Sequence, residues 1–160
     1  MPTVQVRTAG ADDLPALREV FRRSSLSNPG DAEALLAHPE VFVLPDTWVL
    51  AGRTRVAVSP DGAVVGFATT IGSGPVRELE DLFVEPDHQG SGIGARLVAD
   101  AADLARRDGA HRLEVTGNPH ASTFYVGVGF ERDGEVATEL GPGIRMHLDL
   151  RGPSAPARRE

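Results

Sequence analysis

The 160-residue sequence contains no cysteine, which excludes disulfides, thiolate metal sites and a cysteine acyl-enzyme, and fits a reducing compartment. Aromatic residues are scarce: one tyrosine, Tyr125, and one tryptophan, Trp48, stand beside six phenylalanines. No stretch approaches the roughly 18 apolar residues of a membrane span. The opening Met-Pro-Thr-Val-Gln-Val has no basic segment leading into an apolar one, so the expectation is a cytoplasmic location and no membrane partner. Long basic runs are missing too: Arg22-Arg23 and Arg106-Arg107 are isolated pairs. A formal net charge of -7 repels the phosphate of nucleic acid, which is not expected as a partner. His88, His111 and His120 lack metal-ligand spacing, and no His-Glu-x-x-His pattern occurs, so no metal is expected.

What is present is the balance of an ordinary globular chain, 41% hydrophobic and 24% charged, with the length of one domain. Alternation predicts a strand from Val4 to Arg7. Leu14, Leu17, Val20 and Phe21 then share one helical face, with Asp12 or Asp13 as cap and Pro15 in the first turn. A second short helix is expected around Ala32 to Ala37, whereas Val41 to Ala51, interrupted by Pro45, reads as irregular. Thr54 to Val58 and Ala63 to Thr70, joined by Ser59-Pro60-Asp61-Gly62, read as a hairpin, followed by a third strand from Val76 to Val84. After a glycine-rich loop, Ile93, Leu97, Val98, Ala101, Leu104 and Ala105 recur at helical spacing. A strand at Arg112 to Val115 is expected to lie parallel to Val76–Val84, since a helix connects them. A short helix at Ala121 to Val126 and strands at Glu131–Thr138 and Ile144–Leu150 complete the pattern. The expected fold is α+β: a mixed sheet of six or seven strands flanked by helices in one domain, 1–150, with a disordered tail, 151–160.

The loop Gln89-Gly90-Ser91-Gly92-Ile93-Gly94 lies between a strand and a helix. Glycines there let backbone approach a ligand, and the first free amides of the helix make an anion cradle for phosphates. A P-loop requires Lys and Ser or Thr after the last glycine, but Ala95 and Arg96 follow. A dinucleotide fold places its loop after the first strand, whereas here several strands precede it.

Glu80-Asp81-Leu82-Phe83-Val84-Glu85-Pro86 followed by Gln89 to Gly94 resembles the acyl-CoA signature of the GCN5-related N-acetyltransferase (GNAT) superfamily. Asn118-Pro119-His120-Ala121, Phe124-Tyr125 and Gly129-Phe130 resemble its later motif. The resemblance implies two parted parallel strands with acetyl-CoA between them. It implies that the amides of Gly90, Ser91, Gly92, Ile93 and Gly94, after Gln89, grip the pyrophosphate. The backbone around Leu82, Phe83 and Val84 would pair with the pantetheine arm, and Asn118 would contact the cofactor or hold its loop. It further implies transfer of acetyl to a small-molecule or peptide amine, and allows a homodimer. Pro119 departs from many members, although proline suits a first helical turn.

By the same resemblance, the Tyr125 hydroxyl stands near the CoA sulfur, as proton donor to the leaving thiolate or as a packing ring. Glu78, Glu80 and Asp81 supply candidate bases. Alternation puts Glu78 and Glu80 on one face and Asp81 on the other. Glu78, eleven residues before Gln89, matches the base position of the histone-acetylating branch, while Glu80 lies nearer the acetyl position. Water alone is the remaining alternative. Trp48 reads as core packing or as a wall of the acceptor pocket, and His120 as a surface residue or one that lines the cofactor or acceptor site. Arg22, Arg23, Ser24 and Ser25 are candidates for meeting an acceptor carboxylate. A sensor that binds acetyl-CoA without turnover is the competing class.

Overall fold

The structure, a computed structural model, describes residues 4–27, 29–39, 43–138 and 141–151. In chain order its elements are β1 (Gln5–Thr8), α1 (Leu14–Leu26), α2 (Pro29–Ala37), α3 (Thr47–Leu50), β2 (Thr54–Val58), β3 (Val64–Ile71), β4 (Val76–Val84), α4 (Ile93–Arg107), β5 (Arg112–Gly117), α5 (Ser122–Gly127), β6 (Glu131–Thr138) and β7 (Gly141–Asp149). The strands form a mixed seven-stranded sheet in the order β1-β2-β3-β4-β5-β7-β6, and its mixed character and flanking helices agree with the six or seven strands expected from sequence. The segment left irregular in sequence contains one helical turn, α3, while residues 41 and 42 lie outside the described residues, as does the expected tail from 152 onward.

The chain divides into two compact units, Met1–Thr69 with Asp81–Val98 and Thr70–Glu80 with Ala99–Glu160. In the first, β1, β2 and β3 pair antiparallel, and the β2–β3 turn closes with the Ser59 amide donating to the Ala63 carbonyl at 2.8 Å. The helical face predicted for α1 delivers Leu17 and Val20 to a core with Val49, Val56 and Phe67. Leu17 and Phe67 are fully buried, and burial of each such side chain contributes about 1.5–3 kcal/mol. Phe83 projects from β4 onto this core, 4.8 Å from the Phe21 ring in an edge contact and 5.5 Å from Phe67. Gly66 on β3 admits the start of α4: a Cβ there would lie 3.1 Å from the Phe83 carbonyl oxygen and 3.2 Å from Leu97 Cδ1. The absence of a side chain at one position thus seats the N-terminal turns of the helix against the sheet.

In the second unit, β4 runs parallel to β5 and β7 lies antiparallel to both β5 and β6. The β4–β5 ladder extends from Val76↔Arg112 to Leu79↔Val115, and both strands continue past it. Leu113, Val115, Ile144, Met146 and Leu150 are buried. The register shift between Arg132 and Gly134 makes Asp133 the extra residue of a bulge on β6. Asp133 there accepts from the guanidinium of Arg112 and pairs with His147 Nδ1 at 2.8 Å.

Candidate active site

In the first unit, β4 ends where the Glu85 amide donates to the Val65 carbonyl at 2.8 Å. Pro86 at the start of the next turn lacks an amide hydrogen and breaks the ladder. Pro86–His88 form a single 3-10 turn, closed by the His88 amide on the Glu85 carbonyl. Gln89 is exposed and its Nε2 donates to the Val84 carbonyl at 3.3 Å, while the Ser91 amide and hydroxyl both donate to the His88 carbonyl. Gly90 and Gly92 adopt φ of +85° and +89°, the left-handed region that glycine enters without steric cost, and the space where a Cβ would stand is open at both.

The Arg96 amide donates to the Gly92 carbonyl at 3.0 Å, closing the first turn of α4. The amides of Ile93, Gly94 and Ala95 therefore precede any intrahelical acceptor and point out of the helix N-terminus, at the positive end of its dipole. Ile93 buries its side chain and fixes the orientation of that turn. Open glycines followed by outward amides have the donor chemistry of a diphosphate cradle. Leu82, Phe83 and Val84 are half-buried, with Phe83 turned to the core. The Nδ1 of His88 is buried and has no partner among the described residues.

In the second unit, Glu78 and Glu80 sit on the same face of β4, with buried Leu79 between them turned the other way. Their surroundings differ. Arg145 Nη1 lies 2.9 and 3.2 Å from the two Glu78 oxygens and 2.7 Å from Thr116 Oγ1, and Nη2 reaches Glu114 at 2.5 Å. Glu114 opposes Glu78 in the parallel ladder, so Arg145 offsets two like charges placed side by side. Glu80 is exposed and has no ion pair among the described residues. Asp81 belongs to the opposite face of the strand.

Asn118 caps the turn after β5, its Oδ1 accepting the Ala121 amide at 2.9 Å, with Pro119 in the first position. That cap holds the loop, one of the two roles expected for Asn118. Tyr125 follows on α5 with its ring buried against Gly117, where a Cβ would stand 3.1 Å from ring carbon Cε2, and against Phe124 and Phe130 at 5.1 and 5.3 Å. Burial pushes the phenol pKa well above its ordinary value, so the hydroxyl keeps its proton at neutral pH. His120 is exposed, and Trp48 is half-buried on α3.

The model of the family described as Acetyltransferase (GNAT) domain matches residues 48–149. The chain belongs to the GNAT acetyltransferase family. This GNAT protein is 34% identical over 138 residues to N-alpha-acetyltransferase RimI of Mycobacterium tuberculosis, covering 78% of its own length and 84% of the relative's. It is 46% identical over 83 residues to streptothricin acetyltransferase of Streptomyces lavendulae, 49% of this chain and 44% of that protein. The crystal structure of PaiA N-acetyltransferase from Thermoplasma acidophilum in complex with coenzyme A superposes with a TM-score of 0.74, at 18% identity, over 92% of this chain and 99% of that one. At that identity the likeness is one of fold.

Two features of the GNAT protein escaped the sequence reading: the Arg145 clamp on Glu78 and Glu114, and the pairing of Arg23 with Glu85. Both join residues more than 60 positions apart at one end, through strand register and helix docking, and no local spacing signals them.

Proposed function

We propose that the protein is an N-acetyltransferase that moves acetyl from acetyl-CoA to a primary amine by direct attack, without an acyl-enzyme. The observation that carries this reading is the passage from β4 through two open left-handed glycines into the outward amides of α4, in a chain of the GNAT family. When bound, acetyl-CoA supplies a thioester whose C–S bond breaks as the C–N bond to the amine forms. The amides of Gly90, Gly92, Ile93 and Gly94 hold its diphosphate, that of Ser91 being engaged by the His88 carbonyl, and the backbone near Leu82 and Val84 aligns the pantetheine arm.

Glu80 is the carboxylate assigned to receive the proton of the attacking amine, directly or through one water. Glu78 occupies the same face, but its two oxygens are engaged by Arg145, whereas Glu80 has no competing cation among the described residues. The Tyr125 hydroxyl donates to the departing sulfur. A thiol ionises near about pH 8.5 and the buried phenol far higher, so Tyr125 acts by stabilising the thiolate through a hydrogen bond. The acceptor is a small-molecule or peptide amine, a reading supported by relatives named as an N-alpha-acetyltransferase and as a streptothricin acetyltransferase.

Thiol release from acetyl-CoA across a panel of peptides, polyamines and amino sugars tests the proposal. Turnover with at least one amine is expected. Tight CoA binding with no thiol release on any member would replace the enzyme by a sensor.

A further inference from the structure

Arg22 and Arg23 read in sequence as an isolated basic pair and as candidates for meeting an acceptor carboxylate, and the structure separates their fates. Arg22 pairs with Glu19 on its own helix at 2.6 Å, both side chains being about half exposed. Arg23 instead reaches the end of β4, with Nε 2.5 Å from Glu85 Oε1 and Nη2 3.5 Å from Asp87. The Glu85 side chain is only 15% exposed, so this pair is less screened than a surface one.

Glu85 is the pivot between strand and glycine turn. Its amide is bonded to Val65, its carbonyl to the His88 amide and its carboxylate to Arg23. Beyond it the segment bonds to itself: the Gln89 amide to Pro86, the Ser91 amide to His88, and the Gln89 side chain to Val84. The turn therefore behaves as one body whose direction is set at Glu85.

We propose that Arg23 is a positioning residue for the phosphate-binding turn: by fixing Glu85 and Asp87 from α1 it aims the Gly90–Gly94 amides. This rests on the acetyl-CoA reading above. Arg23 touches no substrate in this role, and its effect falls on the diphosphate end of the cofactor alone.

Calorimetric titration of coenzyme A into the wild-type protein comes first, followed by Arg23→Gln, Glu85→Gln, Arg23→Lys and, as control, Arg22→Gln. Losing one charge-assisted bond sets the scale, so Arg23→Gln and Glu85→Gln are expected to bind CoA about tenfold more weakly. Arg23→Lys, which keeps the charge without the fork, is expected within about threefold of wild type, and Arg22→Gln unchanged. In steady-state assays the KM for acetyl-CoA rises by the same factor. The KM for the amine, and that for S-acetylpantetheine, which lacks the diphosphate, do not move.

CoA affinities of both Arg23→Gln and Glu85→Gln within about twofold of wild type overturn the proposal. Equal losses with acetyl-CoA and S-acetylpantetheine overturn it as well, because they mark general damage. If Arg23→Gln does not fold, Glu85→Gln and Arg23→Lys decide. A wild-type protein that binds no CoA brings down the functional reading and this inference together, and is recognised in the first titration.

Discussion

Arg145 holds Glu78 through Nη1 at 2.9 and 3.2 Å, while Glu80, two residues along the same face, is left without a cation among the described residues. The two carboxylates therefore differ in what replacement removes. Glu80→Gln is expected to lower kcat/KM for the amine by about a hundredfold, the scale of a lost general base. Glu78→Gln leaves Arg145 with Glu114 and Thr116 and removes a like-charge neighbour, so a loss below about fivefold is expected. Initial rates of thiol release measure both. The reverse ranking would transfer the base role to Glu78.

The contrast marks where the sequence is legible. The stop at Glu85-Pro86, the glycines and the helical spacing from Ile93 are local signals, and β4, the turn and α4 follow them. Alternation along β4 correctly separates Glu78 and Glu80 from buried Leu79. Which of the two acids is clamped depends on Glu114 standing opposite Glu78 and on Arg145 standing opposite Thr116, registers set by tertiary pairing across three strands. Likewise Arg23 resembles Arg22 until α1 docks and only one of them reaches Glu85. The bulge at Asp133 has no marker in its own residues beyond the neighbouring Gly134.

Tyr125 is the only tyrosine, so tyrosinate absorbance reports on that residue alone. Burial raises its folded-state pKa above the unfolded value of about 10. Between the two values the unfolded chain loses a proton that the folded chain retains, so stability from this group is complete below about pH 10 and declines above it. Tyrosinate is expected to appear at the ordinary pH in denaturant and well above it in the native protein. Tyr125→Phe removes the alkaline decline and lowers kcat by about tenfold or more through the lost hydrogen bond to sulfur. Native titration at the ordinary value would place the ring in solvent and weaken its assigned role.

Gly92 and Gly66 are required for different reasons, and substitution separates them. At Gly92 the φ of +89° costs an L-residue about 1–2 kcal/mol although a methyl group has room. Gly92→Ala is therefore expected to weaken CoA binding, and Gly92→Asn, whose side chain tolerates that region, to recover part of the loss. At Gly66 the added methyl meets the Phe83 carbonyl and Leu97 at 3.1 and 3.2 Å, and overpacking costs about 1–3 kcal/mol. Urea unfolding should show the Gly66→Ala deficit at full size, and Gly66→Ser should not relieve it.

All sixteen basic residues counted as lysine or arginine are arginine. A guanidinium stays protonated at every working pH and offers no amine nucleophile, and the chain has no cysteine to take up acetyl. An enzyme of the proposed class thus carries no side-chain amine that could compete with its acceptor. After prolonged incubation with acetyl-CoA alone, intact-mass analysis is expected to show at most one acetyl adduct, confined to the α-amino group. Thiol release without acceptor should then stop at or below one equivalent. Continued release beyond that point would require hydrolysis of acetyl-CoA, with water replacing the amine as nucleophile.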